Sequence, residues 1–388
     1  MGPHKGAAMN FQPRIRKGAF FDAAWKHGCR TYSVYNRTYI SSTFSDALTE
    51  YWNVINNVGI WPAMGERQIE VTGPDAQRFV QYLTPRNMTK CAVNQCKYAL
   101  ITSAEGGIVC DPIILRLDED RFWLSTSDVD LELWMRGVLV NAGMDVRIRD
   151  AEVSVVQVQG PKSPKLLAGI FGEQVLDLRY YWLTRVAFEG AELIVSRTGW
   201  SGEFGYEIYL ADAKLGTALF DALLEAGEDC GAAPGAVNHI RRIESGILSQ
   251  GLDMTVENTP YELGLGRLVN LEAGTDFIGR AALEKLQKEA PALRLVGLRL
   301  DGDPIPPNEE VWPLMSDGNA VGNLTSLAFS PRLGCNIALG LVATDCSTIG
   351  NRMTVTAWRD ERSAIVCELP FLPKKQSEDP RALFARAG

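Results

Sequence analysis

Glu207 is the residue whose type and position point most directly to chemistry. It lies in an alternating segment, GYEIYL at 205–210, which follows a Gly-rich turn containing Trp200. Alternation on both sides of such a turn predicts a β-hairpin. A carboxylate inside this kind of strand costs free energy unless hydrogen-bond donors reach it. Glu207 is therefore either an outward-facing residue of a half-solvated strand or a carboxylate directed at the N–H groups of a ligand, with Trp200 as an aromatic wall.

Asp111 shows the same feature at a second place. It follows a Gly-Gly turn and a short apolar run, downstream of Tyr98. Two further segments concentrate polar residues: NHIRRIESG, which includes His239, and NTPYELGLG at 258–266. The Gly-x-Gly of the latter lacks the third glycine and the preceding strand of a dinucleotide site, and the chain has neither a P-loop nor a GxSxG motif. Nucleotide-phosphate binding and serine hydrolysis are therefore not expected.

A repeated unit positions these residues. Residues 68–71 alternate as a strand, meet a Gly-Pro pair and continue into a segment with apolar residues at helical spacing. The same order of strand, Gly-Pro and helix returns at residues 155–170, and each copy is followed by a second strand and helix. The pattern predicts an α+β fold with two duplicated sandwiches, helices covering one face of each sheet. It also places the strand of Glu207 opposite the strand of Ser125.

The character of the chain changes beyond residue 292, where short alternating segments lie between Gly, Pro and Asp turns. These segments predict an all-β barrel or sandwich domain. The predicted organisation comprises an irregular N-terminal wrapping segment (1–59), a first α+β unit (60–152), a second α+β unit (153–275), a linking helix (276–291), the β-barrel (292–374) and a loose polar tail (375–388).

Composition narrows the class of protein. The 388 residues carry a net charge of −8, which argues against a nucleic-acid surface. We expect no signal peptide and no membrane span, because no apolar run is long enough. Eight cysteines without a CxxC motif predict reduced thiols and a cytoplasmic location. Three histidines without an HExxH pattern predict that no metal is bound by protein ligands.

Six motifs, taken in order, resemble the T-protein (aminomethyltransferase) family of the glycine cleavage system. Within that superfamily, LTPRNM, SDVDLELW and the segment 244–266 are most similar to the tetrahydrofolate-dependent demethylases, which include dimethylsulfoniopropionate demethylase. The resemblance covers about residues 60–370. The motifs that carry it are EGGIVCDP, VQGPKS, RTGWSGEFGYEIYL, IRRIESG, NTPYELGLG and DFIGRAAL.

The resemblance implies a three-domain cloverleaf, with ferredoxin-like units and tetrahydrofolate in a central channel. It implies that Glu207 binds the pterin and that Asp111 is the catalytic aspartate near the folate nitrogens. Tyr98, Ser125 and Trp200 are similar to positions that line the same pocket. A carboxylate suits a pterin because it can accept hydrogen bonds from two adjacent N–H groups.

One departure from the family bears on the methyl donor. Sulfoniopropionate demethylases carry Lys-Gln-Gly where this chain has Gly-Glu-Phe at 202–204. We therefore predict O-demethylation of a methoxy-aromatic acid, in which His239 stabilises the leaving oxygen, and we keep the sulfonium substrate as the alternative. Tyr180, Trp182 and Phe204 are the predicted aromatic walls of the substrate pocket, although a core or domain-interface role fits them as well.

The predicted activity is transfer of a methyl group from a small methylated substrate to N5 of tetrahydrofolate. Positioning of the two reactants would supply most of the acceleration, with Tyr98 shaping the cavity. We expect no lipoyl carrier protein as a partner and a monomer or homodimer. Two further hypotheses stay open. One is a true aminomethyltransferase, and the second is a non-catalytic folate-binding regulatory protein, whose KGCYxGQ motif is missing from residues 242–251.

Overall fold

The computed structural model describes residues 11–387 of the protein. The α-helices are α1 Phe21–Lys26, α2 Ala47–Asn56, α3 Ala76–Leu83, α4 Leu131–Ala142, α5 Ser163–Phe171, α6 Gly216–Ala226, α7 His239–Glu244, α8 Arg280–Leu286 and α9 Pro380–Ala387. The strands of the N-terminal and first parts are β1 Thr31–Tyr35, β2 Thr38–Thr43, β3 Val58–Pro62, β4 Arg67–Thr72, β5 Cys96–Tyr98, β6 Ile101–Thr102, β7 Ile108–Cys110, β8 Ile113–Asp118, β9 Arg121–Thr126 and β10 Arg147–Asp150. The later strands are β11 Ser154–Gln159, β12 Leu183–Phe188, β13 Ala191–Ser196, β14 Gly205–Leu210, β15 Ala232–Pro234, β16 Leu293–Leu300, β17 Trp312–Ser316, β18 Asn319–Ser330, β19 Cys335–Ala343, β20 Arg352–Ala357 and β21 Asp360–Cys367.

The first sheet has five antiparallel strands in the order β10-β4-β9-β8-β5. Helices α3 and α4 cover one face, because each places apolar side chains at helical spacing toward the sheet. Phe79 of α3 and Met135 of α4 are buried there against Ile69 and Phe122 of the strands. This agrees with the first predicted sandwich.

The second sheet has six strands in the order β12-β13-β14-β11-β3-β15. Its helices α5 and α6 bury Leu167 and Phe220 against Val156 and Ile208. The predicted hairpin is present, since β13 and β14 pair antiparallel. Strand β3 pairs with β11 rather than with the first sheet, although it stands where the sequence predicts the start of the first unit.

The two sheets face each other through their uncovered sides. Trp61, Leu115, Trp123, Val155 and Tyr209 are buried between them. The rings of Trp123 and Tyr209 lie 6.0 Å apart, which sets the strand of Glu207 opposite the strand of Ser125, as the repeat predicts. Every second residue of β4, β9, β11 and β14 therefore points into a layer between two sheets.

The C-terminal domain is a closed barrel in the order β16-β19-β18-β17-β20-β21, as predicted. Leu298, Leu314, Leu327 and Val355 are buried in its interior. Helix α7 packs on the outside of β18 and β19 and so joins the barrel to the second unit. The architecture as a whole is the predicted α+β fold with two sandwich units and a barrel.

Two expectations for the chain ends were wrong. Residues 11–50 are not irregular, because Phe21 of α1 and Tyr39 of β2 join the core of the second unit. The tail is not loose: α9 buries Leu383 in that same core, and the buried Arg197 donates a hydrogen bond of 2.6 Å to the main-chain oxygen of Gln376. Residues 1–10 of the predicted wrapping segment lie outside the described part. In the part that the structure describes, no helix is both long and apolar enough to cross a membrane.

Candidate functional site

The layer between the two sheets holds an apolar half and a polar half. Because side chains alternate along a strand, Gln157 on β11 and Glu207 on β14 point away from the helices and into this layer. Gln68 on β4 and Ser125 on β9 do the same from the opposite sheet. The candidate residues of both repeats therefore meet at one place.

Glu207 is 5% exposed and is held by neutral donors. Its Oε1 accepts a hydrogen bond of 2.9 Å from Gln157 Nε2, and its Oε2 accepts one of 2.9 Å from the Tyr209 hydroxyl and another from the Thr198 hydroxyl. Among residues 11–387, no Arg, Lys or His forms an ion pair with it. Burial raises the pKa of Glu207, while the hydroxyls of Thr198 and Tyr209 act in the opposite direction. The carboxylate is thus buried without a counter-charge.

Glu66, immediately before β4, brings a second carboxylate to the same place. Its Oε1 accepts a hydrogen bond of 2.9 Å from Gln157 Nε2, so one amide group bridges Glu66 and Glu207. The main-chain oxygen of Glu66 accepts a bond of 3.0 Å from Gln68 Nε2. Burial, and after it the charge of Glu207, raise the pKa of Glu66 well above its ordinary value. Glu66 and Glu207 therefore form a pair of acids whose side-chain hydrogen-bond donors are uncharged amide and hydroxyl groups.

Asp111 lies between β7 and β8 as a half-buried residue. The Tyr98 hydroxyl donates a hydrogen bond of 3.0 Å to its Oδ2. Burial raises the pKa of Asp111 to about 6, against the opposing effect of the hydroxyls of Ser127 and Tyr98. Burial raises the pKa of the Tyr35 hydroxyl, and the nearby charges of Asp111 and Glu66 raise it further. Tyr35 thus connects the surroundings of Asp111 to those of Glu66.

Ser125 accepts a hydrogen bond of 2.9 Å from Gln68 Nε2. The Oε1 of Gln68 is buried and has no protein partner within the described chain. A buried acceptor without a partner costs free energy, and a ligand N–H group would satisfy it.

Trp200 lies at the corner between β13 and β14, and its main-chain N–H donates to Gln157 Oε1 over 3.3 Å. The guanidinium of Arg242 lies 5.7 Å from the centre of the Trp200 ring. Arg242 is itself fixed by Asp253, at 2.7 Å from Nη1 to Oδ2. The main chain of Trp200 therefore lies next to Gln157, the partner of Glu207, and its role as an aromatic wall stays a prediction.

His239 is not brought next to Asp111 or Glu207 by any contact in the described residues. Its Nδ1 accepts a hydrogen bond of 3.2 Å from Arg242 Nε, and its ring lies by the main chain of Leu327 in the barrel. Burial, followed by the charge of Arg242, lowers the pKa of His239 to about 4. The imidazole is therefore neutral at physiological pH and packs at the junction with the barrel.

The three residues predicted to wall the substrate pocket are placed in other surroundings. Tyr180 donates a hydrogen bond of 2.9 Å to Gln376 Oε1 of the tail. Trp182 packs against the core of the second unit. Phe204 is 1% exposed in that core, with the guanidinium of Arg197 at 3.8 Å from its ring centre.

Glu203, in the segment that departs from the demethylase pattern, is also internal. It is 1% exposed and lies 2.9 Å from Arg241 Nη2, which belongs to the buried pair of Arg241 and Glu244. Lys375 reaches Glu203 from the tail at 3.4 Å. This segment therefore ties the second unit to α7 and the tail.

Several residues of the site were not predicted from the sequence. Gln157 and Tyr209 share the inward-facing positions of β11 and β14, so the alternation of these strands held the signal. Glu66 and Thr198 lie in turns, where no periodicity fixes the direction of a side chain. Tyr181 belongs to the aromatic stretch Tyr180–Trp182 that the sequence offers as a pocket wall, and it is the member of that stretch that neighbours both Glu207 and Arg86.

The site suits the pterin end of a folate. Pterins present adjacent N–H donors, and this layer offers a buried acid with uncharged partners at Glu207 and an unpaired acceptor at Gln68 among the described residues. Glu207 is 5% exposed and Gln68 is fully buried, and such burial strengthens charge-assisted hydrogen bonds. The fold and these acceptors are typical of a pterin-binding transfer enzyme.

Comparison with known proteins identifies the family of this chain. Residues 12–273 match the GCVT N-terminal domain, and residues 294–372 match the glycine cleavage T-protein C-terminal barrel domain. The chain belongs to the glycine cleavage T-protein family, whose members are enzymes that use tetrahydrofolate as a co-substrate.

Relatives and a solved structure support the same assignment. The chain is 40% identical to dimethylsulfoniopropionate demethylase DmdA of Ruegeria pomeroyi, over 85% of this chain and 90% of that protein. It is 34% identical to an aminomethyltransferase of Symbiobacterium thermophilum, over 84% and 90% of the two chains. The fold matches the glycine cleavage system aminomethyltransferase T of Bartonella henselae with a TM-score of 0.84, covering 94% of this chain and 100% of that one, at 23% identity.

Proposed function

We propose that this enzyme transfers a methyl group from a cationic sulfonium donor, of the class of dimethylsulfoniopropionate, to tetrahydrofolate. The observation that carries the proposal is the set of carboxylates Glu66, Asp111 and Glu207, none of which forms an ion pair within residues 11–387. Burial raises the pKa of each of these acids, and a bound cation favours their ionised forms and supplies the counter-charge that the fold lacks. Tyr98, whose hydroxyl bonds Asp111, adds an aromatic ring that favours a cation.

A methoxy-aromatic acid fits this environment less well, and we no longer favour that prediction. Such a substrate carries a carboxylate but no positive charge to offset it, and the site holds three acids without a counter-charge. It also expels a phenolate, which needs a proton donor or a cation close by. His239 was the predicted donor, but its pKa of about 4 leaves it neutral, and its Nδ1 is engaged by Arg242. The 40% identity to a dimethylsulfoniopropionate demethylase supports the sulfonium donor further.

Each residue has a definite task in this proposal. Tetrahydrofolate supplies the nitrogen that accepts the methyl group. Glu207 and Gln68 accept hydrogen bonds from the pterin and fix its orientation. Asp111, held by Tyr98, accepts the proton that the nitrogen loses, because its pKa of about 6 suits exchange of that proton with solvent near neutral pH. The carbon–sulfur bond breaks with its electron pair left on sulfur, so a neutral thioether departs and no acid is required for the leaving group.

The aminomethyltransferase activity is the second candidate. It is supported by the 34% identity to the Symbiobacterium thermophilum protein over nearly the same length. That reaction needs a lipoyl carrier protein and produces methylene-tetrahydrofolate, so the product and the carrier requirement distinguish the two activities.

The test is incubation of the purified protein with tetrahydrofolate and one donor at a time, followed by mass spectrometry of the folate. The donors are dimethylsulfoniopropionate, glycine betaine, dimethylglycine and a methoxybenzoate. We expect 5-methyltetrahydrofolate with the sulfonium donor and none with the methoxybenzoate. The Glu207→Gln variant serves as the control for the site. Product from the methoxybenzoate alone, or product only when a lipoyl carrier is added, would overturn the proposal.

A further inference from the structure

A cleft opens at the end of the inter-sheet layer that lies away from the candidate site. Its volume is about 560 Å³, and small-molecule sites have volumes of about 300–1,000 Å³. Glu207, Tyr209 and Ala211 face the layer in turn along β14 and the residue after it, and only Tyr209 and Ala211 line the cleft. Trp123 lines it from the opposite sheet. The cleft and the candidate site therefore lie on two sides of the Tyr209 ring.

The floor of the cleft is apolar. It consists of Ile194 and the rings of Trp123 and Tyr209, all three of them buried. The polar atoms of both rings already have partners, because Trp123 Nε1 donates to Glu70 and the Tyr209 hydroxyl donates to Glu207, each over 2.9 Å. A ligand that fills this cleft therefore needs an apolar body.

Arg121 brings an excess of positive charge to the cleft. Its Nε donates a hydrogen bond of 2.6 Å to Glu70 Oε2, and Arg149 binds the other oxygen of the same carboxylate, so two arginines share one acid. Within the described chain, no acceptor bonds the Nη1 or Nη2 group of Arg121. These two groups belong to the planar fork with which arginine recognises a carboxylate.

The surroundings of Arg185 have the opposite excess. Asp118 lies 3.7 Å from its Nη2 and Glu192 lies 3.4 Å from its Nε, so two acids share one arginine. Arg185 is fixed separately, by hydrogen bonds of 3.0 Å to Asn94 Oδ1 and 2.9 Å to the main-chain oxygen of Leu117. Both acids are more than half exposed, and such long, exposed pairs contribute little, so the acids can accept from a further cation.

The cleft thus combines an apolar floor with one excess positive and one excess negative charge. Arg121 and Asp118 are cross-strand partners, so the two charges start from neighbouring positions. A ligand with a carboxylate and an ammonium group on one carbon, next to an apolar side chain, matches both charges and the floor. We propose that this cleft binds a free amino acid with an aromatic side chain, its carboxylate at Arg121 and its ammonium group at Asp118 and Glu192.

Tyr209 couples this cleft to folate binding. A ligand that contacts the Tyr209 ring stabilises its present orientation, in which the hydroxyl donates to Glu207. The bound amino acid should therefore favour binding of the pterin at Glu207, and by linkage the folate should favour the amino acid equally. The coupling rests on the proposed function, whereas binding in the cleft does not depend on it.

The experiment is calorimetric titration of the folate-free enzyme with L-phenylalanine, with 3-phenylpropanoate, which lacks the ammonium group, and with phenethylamine, which lacks the carboxylate. Wild type is compared with Ala211→Trp, which fills the cleft from an exposed position, and with Glu192→Gln. Ala213→Trp and Glu189→Gln are the matched controls, because both residues are exposed and neither lines the cleft.

We expect L-phenylalanine to bind wild type about tenfold more tightly than either analogue. Ala211→Trp should abolish the binding, and Glu192→Gln should weaken it about fivefold without weakening that of 3-phenylpropanoate. Both controls should behave as wild type. No binding of L-phenylalanine at millimolar concentration, binding no tighter than that of the analogues, or an equal loss in Ala213→Trp would overturn the inference.

A second titration tests the coupling. The dissociation constant of tetrahydrofolate should fall about fivefold when L-phenylalanine is saturating, and this change should be absent in Ala211→Trp. An unchanged folate affinity with the amino acid bound would overturn the coupling and leave the proposed function intact. Failure of tetrahydrofolate to bind under either condition would overturn the proposed function, while the binding of L-phenylalanine stands on its own titration.

A donor arm completes the test, because dimethylsulfoniopropionate is a zwitterion too. It has no aromatic body to cover the floor of the cleft, so it should displace L-phenylalanine from the folate-free enzyme only weakly. Displacement at concentrations below the dissociation constant of L-phenylalanine would assign the cleft to the methyl donor and contradict the role in amino-acid binding.

Discussion

Glu70 and Glu207 are two buried acids on the corresponding pair of strands in the two repeated units. Glu70 lies three residues before the glycine of its Gly-Pro pair, and its cross-strand partner is Trp123. In the second unit, Gln157 holds the same position before its own Gly-Pro pair, and its cross-strand partner is Glu207. Each repeat therefore places one carboxylate on the same rung, facing the same layer between the sheets.

The surroundings of these two acids differ in charge. Glu70 Oε2 accepts from Arg121 Nε at 2.6 Å and from Trp123 Nε1 at 2.9 Å, and Arg149 lies at 2.5 Å from Oε1. Burial acts to raise the pKa of Glu70, but the tryptophan and the arginines outweigh it, and the pKa lies below its ordinary value. Glu207 has hydroxyl and amide partners only, and its pKa is raised.

The comparison teaches that burial of an acid does not by itself mark a functional site. The charge of Glu70 is balanced by Arg121 and Arg149, so its ion pairs hold the three strands β4, β9 and β10 together. Glu207 has no counter-charge in the fold, so a ligand with N–H donors would stabilise its ionised form by binding there. We therefore predict different effects on folate binding and stability when each acid is replaced.

Replacement of Glu207 by Gln should have the largest effect on activity. Two charge-assisted hydrogen bonds, at about 1.5 kcal/mol each, correspond to a loss of about 100-fold in tetrahydrofolate affinity. The melting temperature should stay the same or rise, because an acid with a raised pKa destabilises the folded state when it is ionised at neutral pH. Calorimetric titration and thermal unfolding of the same preparation give both values. Unchanged folate binding would remove Glu207 from the site.

Replacement of Asp111 by Asn should lower kcat by about 100-fold and change the pH profile. A pKa raised to about 6 means that the carboxylate is ionised above that pH, so wild-type kcat/KM should fall as the pH drops through about 6. The residual activity of Asp111→Asn should lack this acidic limb.

The raised pKa of Asp111 also bears on stability, because it makes the ionised carboxylate unfavourable in the folded state. Asp111→Asn should therefore be more stable than wild type at pH 8 and lose that advantage below about pH 4. An acidic limb that survives in Asp111→Asn would assign it to another group.

Replacement of Glu70 by Gln should reverse the pattern seen at Glu207. The free energy of unfolding should fall by about 1–3 kcal/mol at pH 7, because Arg121 and Arg149 lose their partner, although both are partly exposed. The lowered pKa means that this contribution is present at neutral pH and disappears as the pH falls through the folded-state pKa. Urea unfolding at pH 7 and at acidic pH measures both. The folate affinity of the folded variant should equal that of wild type, and a large loss of affinity would show that the two acids are not distinct in role.

Replacement of His239 by Gln should have the smallest effect, less than about threefold on kcat/KM. The imidazole is already neutral, and a glutamine can still accept a hydrogen bond from Arg242. Steady-state kinetics with the sulfonium donor measures this. A loss of several hundredfold in kcat would restore His239 to the catalytic role that the sequence predicts for it.

Much of the fold could be predicted from the sequence, because periodicity and Gly-Pro punctuation mark the two repeats and the barrel. Glu207 could be found because an acid interrupts an apolar alternation, and Asp111 for the same reason. The packing of the C-terminal tail could not be predicted, because the burial of Leu383 depends on a core built from residues distant in the sequence. Phe204 and Glu203 were misleading because a turn between two strands does not reveal which side chains turn inward. Glu66 carries no periodic signal, and only the meeting of two sheets brings it to Gln157.

The central claim is that the uncompensated acids of this layer select a positively charged methyl donor. The most direct test is calorimetric binding of dimethylsulfoniopropionate and of 4-methylpentanoate, in which an uncharged carbon replaces the sulfonium, to the enzyme saturated with 5-methyltetrahydrofolate so that no transfer occurs. We predict that the sulfonium compound binds about tenfold or more tightly than its neutral isostere, and that Glu66→Gln narrows the difference. Equal or tighter binding of 4-methylpentanoate would contradict the claim.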